Sequence, residues 1–412
     1  MDTLLDAIEI FIPGDWGNEE YSQDAPNEVI CIRGADIENV KCGIYQNIPI
    51  RYVSNTSFNK KTLESGDIII EKSGGSPTQS TGRVCYISDE LIESKKNVVC
   101  SNFCGAFRMK SKWYYKYIYY YLHNIYSQGN FFNYEGKTSG IRNLLLETAF
   151  QAITLPDILT DVQKRTVKIL DKIDQKINLN TRMNAELEAM AKQLYDYWFV
   201  QFDFPNENGK PYKSSGGKMA YNEELKREIP EGWEAKQLKE LLVLEDNRRI
   251  PLSNKERENR KGIYPYYGAT GIMDYIDDYI FDGDYILLAE DGSTSDEHGN
   301  PVVQYIWGKN WVNNHAHIIH VNDDSKLQYY YFLLKTIPVV LIETGSIQKK
   351  ISQDNLLGYS VINPPSTIIK QYCNIASSCR DNQKKITDEN NYLTNLRDSL
   401  LPMLMNGQVI VE

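Results

Sequence analysis

The residues best equipped for chemistry lie in three short stretches, and none completes an active site. Residues 363–366 read Asn-Pro-Pro-Ser. With an aromatic in the fourth place, such a turn can stack on an extruded base while the Asn and a backbone carbonyl grip its amino group. Here Ser366 stands instead, and no Gly-rich strand–turn–helix for a methyl donor precedes it. The matching Thr-Leu-Pro at 154–156 marks both spots as turns before a helix. The stretch GDIIIEKS from Gly66 offers Asp67, Glu71 and Lys72, the residue types of a metal-dependent nuclease. That chemistry needs acid and lysine on one face of a strand, and adjacent residues face opposite ways. In NNHAHIIH (313–320), His315 and His317 share a strand face, but no third ligand has fitting spacing, so no metal is expected. No GxxxxGK[ST] loop is present, so ATP hydrolysis by this chain is not expected.

The elements that must position these residues occur twice. The first half runs GDIIIEKSGGSPTQSTG from Gly66, then RVCYIS, then KWYYKYIYYYL from Lys112. The second runs GDYILLAEDGSTSDEHGN from Gly283, then PVVQYIW, then KLQYYYFLLK from Lys326. Each is a Gly-Asp turn, an apolar strand, a hydroxyl-rich loop, a second strand and an aromatic helical segment. A Gly-hydroxyl element follows in each, TSGIR around Gly140 and TGSIQKKIS around Gly345. A short strand ending at proline comes next (AITLP, SVINPP). Recurrence of the whole order is stronger than any single match.

Both prolines lead into long helical patterns. The first places Val162, Thr166, Ile169, Ile173, Lys176, Asn180, Met183, Leu187, Met190, Leu194 and Tyr197 on a seam spaced by four and three. The second places Ile368, Tyr372, Ile375, Cys379, Asn382, Ile386, Glu389, Leu393, Leu396, Leu400 and Met403 there. The polar seam residues are read as fixing register. Chain order requires an antiparallel pair with a module at each end, and ~40 residues at 1.5 Å rise make a rod of about 60 Å. One turn of DNA is about 34 Å, so such a rod could join two separated sites, and its approximate two-fold symmetry would offer two like surfaces to two identical partners. Residues 202–219 are rich in Pro, Gly, Ser and Asn and read as a surface connection. The second module opens at IPEGWEAKQL from Ile229, the first at IPGDWGNEEY from Ile12.

Bulk properties narrow the classes. With 412 residues, the chain has room for two domains plus connectors. No run of about 18 apolar residues exists, so no membrane span is expected. The acidic start does not fit a signal peptide. Seven cysteines without a CxxC pair suit a reducing compartment, and a cytoplasmic protein is expected. The net charge of −10 opposes tight stand-alone binding to nucleic acid, although basic partners could supply much of the phosphate clamp. The 29 tyrosines could line a recognition surface or simply fill strands.

The combination of IPEGWE (229–234), YPYYGATGIMDYID (264–277), the Gly-Asp strand and loop, NNHAHIIH, and a helix ending in YDYWFVQFDFPNENGKPYKSSGG resembles the specificity subunit of Type I restriction–modification enzymes. The likeness covers nearly the whole chain, and module one lacks a good YPYYGATG counterpart. It implies a non-catalytic subunit whose two target recognition domains each read one part of a split sequence in double-stranded DNA. It also implies helices that act as a spacer and dock two DNA adenine methyltransferase subunits, with ATP-using restriction and translocase subunits joining that core. The chain itself is expected to hold no cofactor, with S-adenosylmethionine, ATP and magnesium on the partner subunits.

Base readout needs side chains that reach base edges, and positioning needs groups for phosphates. Candidates in the loops after the strands are Lys72, Ser73, Gly74, Gly75, Thr78, Gln79, Ser80, Thr81 and Arg83 in module one, and Glu290, Asp291, Ser293 and Thr294 in module two. In the Gly-hydroxyl elements they are Lys137, Thr138, Ser139 and Arg142, and Thr344, Ser346, Gln348, Lys349 and Lys350. Tyr266, Tyr267, Thr270, Arg248 and Arg249 complete the set. The acids Glu290 and Asp291 make sense at DNA as acceptors from cytosine amino groups or as braces for a basic residue.

The expected architecture is therefore α+β, with two repeated recognition domains joined by two long antiparallel coiled-coil helices and an approximate two-fold axis. Its expected parts are a first recognition domain (1–157), a central helix (158–201), a linker (202–228), a second recognition domain (229–366) and a C-terminal helix (367–406). Two rival readings are a self-contained DNA methyltransferase or nuclease, and a coiled-coil scaffold without DNA specificity.

Overall fold

The computed structural model describes residues 2–75, 79–95, 97–138, 141–345 and 349–406. The chain divides into two compact units, residues 1–182 with 386–412, and residues 183–385. Each contains one module and part of each long helix.

Both units are built on the same four-stranded antiparallel sheet. In unit one its order is Ile8–Pro13, Cys104–Met109, Ile68–Glu71, Val84–Tyr86. In unit two it is Val243–Leu244, Ala316–His320, Tyr285–Ala289, Val303–Ile306. The central strands Ile68–Glu71 and Tyr285–Ala289 are buried at every position, as continuous apolar runs demand when both faces are covered. Gly66 and Gly283, which precede them, both take φ values open to glycine, +90° and +138°. The strands that the repeat pairs by sequence thus occupy the same sheet positions.

The aromatic segments become helices that tie each sheet to a long helix. In unit one, helix Tyr115–Ser127 buries Tyr117, Tyr119, Tyr120 and Leu122. Its Tyr120 hydroxyl donates to Asp174 at 2.6 Å, and Lys116 pairs with Asp171. In unit two, helix Leu327–Leu334 is buried throughout, and the Tyr331 hydroxyl donates to Glu188 at 2.7 Å. Many of the tyrosines are thus spent on core packing, in helices more than in strands.

The long helices span Thr160–Tyr195 and Ser366–Met405. They run antiparallel within each unit: as the position on the first rises, that on the second falls. In unit one, Asp174 meets Arg397 at 3.0 Å, and Asn180 donates to Glu389 and Asn390 at 2.7 and 2.9 Å. In unit two, Gln383 donates to the Asn184 carbonyl at 2.9 Å, Arg380 pairs with Glu188 at 3.2 Å, and the Tyr372 hydroxyl donates to the Ala191 carbonyl at 3.1 Å.

The seam differs from its sequence reading by one residue on one side. Thr166, Ile173 and Asn180 face inward as expected. The inward positions beside them are Leu170 and Ala191, while Ile169, Met183 and Met190 are exposed. On the second helix Tyr372 is inside with Ile369 and Ala376, and Ile375 and Met403 are out. The reason is chemical: Arg380 and Gln383, which hydrogen-bond across the pair to Glu188 and Asn184, occupy interior places that hydrophobicity would have assigned elsewhere. Among the described residues, no helix is long and apolar enough to cross a membrane.

Module one begins earlier than its Ile-Pro pair indicated. In unit two, Gln237 lies opposite Ser360 in the pairing of Glu234–Gln237 with Ser360–Asn363, and it forms a capping box with Glu240. The counterpart is Thr3, bridged to Thr154 and forming a capping box with Asp6. Leu4 and Leu238, next in each, are both fully enclosed. Ile12 and Pro13 instead belong to a sheet strand, paired with Ala106 and Gly105. The similar spelling of the two segments is therefore not structural equivalence.

Candidate nucleic-acid interface

Strand Ile68–Glu71 delivers the chain into the hydroxyl-rich loop, and the hairpin of Glu135–Thr138 and Ile141–Leu144 folds onto that loop. Ser73 and Gly74 pair with Asn143 and Arg142, extending the hairpin into a three-stranded sheet. The Ser73 hydroxyl meets Asn143 at 2.5 Å. Thr81, fully enclosed, donates its backbone N–H to the Glu135 carboxylate at 2.7 Å, and Arg142 donates to the other oxygen of that carboxylate at 2.7 Å. Candidates far apart in sequence, Ser73, Gly74 and Thr81 on one side and Arg142 on the other, are thus brought together.

The same convergence occurs in unit two. The Ile351 N–H donates to the Glu290 carbonyl at 2.8 Å, and Asp291 bridges to Lys350. Lys350 pairs with the Glu290 carboxylate at 2.8 Å. Thr294, almost fully buried, donates to Glu343 at 3.4 Å, and Lys349 pairs with Glu343 at 2.8 Å. Asp291 also holds His315 Nδ1 at 2.6 Å, which leaves the half-exposed imidazole at the rim of the loop.

Buried carboxylates brace both loops from below. Glu71 takes two hydrogen bonds from Arg83, at 2.9 and 2.6 Å, so it is a strut and not half of a nuclease pair. Glu290 is held by Arg249 at 2.6 Å as well as by Lys350. Burial raises its pKa, but these two cations outweigh that and hold it below the ordinary range. Asp246, Glu290 and His317 approach closely enough to suggest a metal. The donor set argues otherwise. Both His317 nitrogens are engaged, Nδ1 with Asp246 and Nε2 with the Ile351 carbonyl at 2.8 Å, and Arg249 and Lys350 already neutralise the acids. The cluster is a charge network that fixes the strand end below the loop.

The remaining candidates sort by exposure. Thr270 and Ser293 are exposed at loop tips, and Gln304 supports the Thr270 turn through the carbonyls of Gly268 and Ala269 at 3.1 and 3.0 Å. Gly75, with φ +71°, is exposed. Ser80 is buried. Tyr266 is a core residue, 1% exposed, with its hydroxyl accepting from Leu252 N–H at 2.9 Å, and it cannot touch a base edge as it stands. Tyr267 is half-buried and contributes its carbonyl to Asn313 N–H. Arg248 lies apart, paired with Glu245 and stacked 4.7 Å over Phe281. For Lys137 and Thr138 the strand alone is described, and Thr78, Ser139, Ser346 and Gln348 lie outside the described residues. Glu135 and Glu343 were missed by sequence reasoning. The available signal was a glutamate shortly before each Gly-hydroxyl pair, in YEGKTSG and IETGS. The Asn-Pro-Pro-Ser stretch is the end of strand Ser360–Asn363 and the start of the second long helix.

The chain is a duplicated α+β module whose braced loops carry hydroxyl, amide and cationic groups. Residues 31–189 and 230–394 match the family described as Type I restriction modification DNA specificity domain. The chain belongs to that family, with one copy of the domain in each half. A Haemophilus influenzae protein named "Putative type I restriction enzyme specificity subunit S.HindORF215P" is 31% identical over 152 residues, 36% of this chain and 38% of that protein. The Type I restriction enzyme MjaIX specificity subunit of Methanocaldococcus jannaschii is 26% identical over 290 residues, 64% of this chain and 62% of that protein. The chain therefore covers less than two thirds of the length of either relative. Its fold matches the crystal structure of a Type I restriction–modification S subunit from M. genitalium, with a TM-score of 0.52 at 15% identity over 98% of this chain and 95% of that one.

Proposed function

We propose that this chain is the non-catalytic specificity subunit of a Type I restriction–modification complex, and that its two modules each read one half of a bipartite sequence in double-stranded DNA. The observation that carries this is the convergence, in both modules, of the loop after the central strand with the following hairpin. Lys72, Ser73 and Arg142 supply one surface, and Asp291, Ser293, Lys349 and Lys350 the other. Their hydroxyls and cations suit phosphate oxygens and base edges. Asp291 suits a cytosine amino group. Tyr266 and the buried glutamates act behind this surface by holding it in shape.

Two adenine methyltransferase subunits dock on the outer faces of the long helices in this reading, and ATP-dependent restriction and translocase subunits join them. Support comes from the apolar residues left outside the seam. In unit two, Met190, Leu194, Tyr197, Ile375 and Cys379 line an open groove of about 620 Å³. In unit one, Ile169 and Met403 are exposed at the repeat-related positions. S-adenosylmethionine, ATP and magnesium are then bound by those partners. A cytoplasmic setting fits the seven unpaired cysteines.

The test is a module exchange. Replacing residues 231–360 with the same region of another family member, in the assembled methyltransferase, should change one half of the methylated sequence and leave the other half intact. A change in both halves, or in neither, would refute modular reading.

A further inference from the structure

We infer that Glu135 and Glu343 are positioning residues for sequence readout, one for each half of the target. The inference rests on the DNA-reading function proposed above and adds to it the residue that sets the geometry of each reading surface. Both glutamates open the first strand of the hairpin that folds onto the loop. Both are nearly enclosed, with side chains 4% and 10% exposed. Each carboxylate reaches an enclosed threonine of the loop. Glu135 accepts from the Thr81 backbone, and Glu343 from the Thr294 hydroxyl. Each also binds a cation from beyond the hairpin turn, Arg142 or Lys349. The local sequences differ, YEGKTSGIR against IETGSIQKK, and the atoms of the threonine differ too. The clamp is nevertheless the same in both modules: loop, carboxylate, cation.

An enclosed carboxylate is costly on a surface meant for a polyanion, because it repels phosphate and must be desolvated. Its place there follows if it supplies order that loop backbone lacks. A charge-assisted contact at each of its oxygens fixes the loop and the hairpin at one separation, and base readout is lost when side chains are displaced by even about 1 Å from the productive geometry. The same contact keeps Arg142 and Lys349 in a defined direction, where a free long side chain would sample many rotamers and bind phosphate without regard to sequence.

Glu135→Gln and Glu343→Gln are the test, each made in the chain assembled with its methyltransferase subunits. The amide keeps the shape but sets an N–H group against one of the two donors. Binding is measured to the full target, to targets altered in either half, and to unrelated DNA, with thermal unfolding in parallel. For Glu135→Gln, discrimination at one half-site should fall about tenfold, while the other half-site keeps its discrimination, unrelated DNA binds at least as tightly as before, and the melting temperature of the complex falls by no more than about 5 °C. Glu343→Gln should show the reciprocal pattern. Loss confined to one half-site is a result that a merely structural role would not give. The inference is overturned if either variant keeps full discrimination at both half-sites, or loses both together, whether by unfolding or not. If the unsubstituted complex shows no split target, it is the DNA-reading function that fails.

Discussion

Glu188 is the residue whose removal most sharply tests how the helix pair and module two are joined. Its carboxylate takes Arg380 Nη2 at 3.2 Å, the Tyr331 hydroxyl at 2.7 Å and Lys335 Nζ at 3.3 Å. It therefore ties the first long helix to the second and to the aromatic helix of the module. Breaking a fully buried ion pair costs about 3–5 kcal/mol, because one charge is left unpaired. Here Glu188 is 26% exposed and Arg380 9%, and Arg380 keeps a hydrogen bond to Gln328 and the face of Tyr305 at 4.2 Å. These retained contacts reduce the expected loss for Glu188→Ala to about 2–3 kcal/mol. For a unit of this size that is a fall of about 5–10 °C in melting temperature. Glu186→Ala, at an exposed position on the same helix, should stay within about 0.5 kcal/mol of the parent. The pH dependence carries a sign. Burial raises the Glu188 pKa, but the Arg380 charge and the Tyr331 and Lys335 contacts together lower it below its usual value. A lowered carboxylate stabilises above its unfolded pKa, about 4.3, and loses that contribution as pH falls through the folded value. The gap between parent and Glu188→Ala, read by calorimetry, should therefore narrow from pH 7 to pH 3. A variant as stable as Glu186→Ala, or a gap that widens in acid, would refute the assignment.

Other consequences are open to direct measurement. Leu170→Ala, at a fully enclosed seam position, should cost about 2–4 kcal/mol in denaturant titration, and Ile169→Ala next to it less than about 1; the reverse order would restore the seam read from hydrophobicity. Asp246 is raised by burial but lowered overall by His317, the Ile318 N–H and Arg249, so Asp246→Asn should destabilise the chain at pH 7 and differ less from the parent as pH drops through the carboxylate range. Met190→Glu should weaken capture of methyltransferase subunits at least tenfold in sedimentation assays with no change in melting temperature; equal assembly would remove the groove from the docking surface.

The duplicated sheet was legible because a Gly-Asp turn followed by an all-apolar strand leaves few alternatives, and order of parts recurs even where residues do not. The helices were legible as helices, and part of their seam with them, since Thr166, Ile173, Asn180 and Tyr372 lie inside as read. Hydrophobicity chose Ile169, Met183 and Met190, and the interior took Leu170, Ala191 and a set of polar residues that satisfy one another across the pair. That exchange needs both helices in view, since neither stretch of sequence alone reveals that Arg380 will meet Glu188 or Gln383 the Asn184 carbonyl. The proposed reading surface was half legible. Hydroxyls and cations announced the loops, but the enclosed acids Glu135 and Glu343, which bind loop to hairpin, look like surface charges until the chain folds. Tyr266 misled in the opposite direction, since a tyrosine among turn residues resembles a contact and is in fact core.

The most direct test assembles the chain with the methyltransferase subunits encoded beside it and maps methylated adenines across a genome. The account predicts one motif made of two short specified parts separated by a gap of constant length. A continuous motif, a gap that varies from site to site, or methylation unaffected by omission of this chain would contradict it.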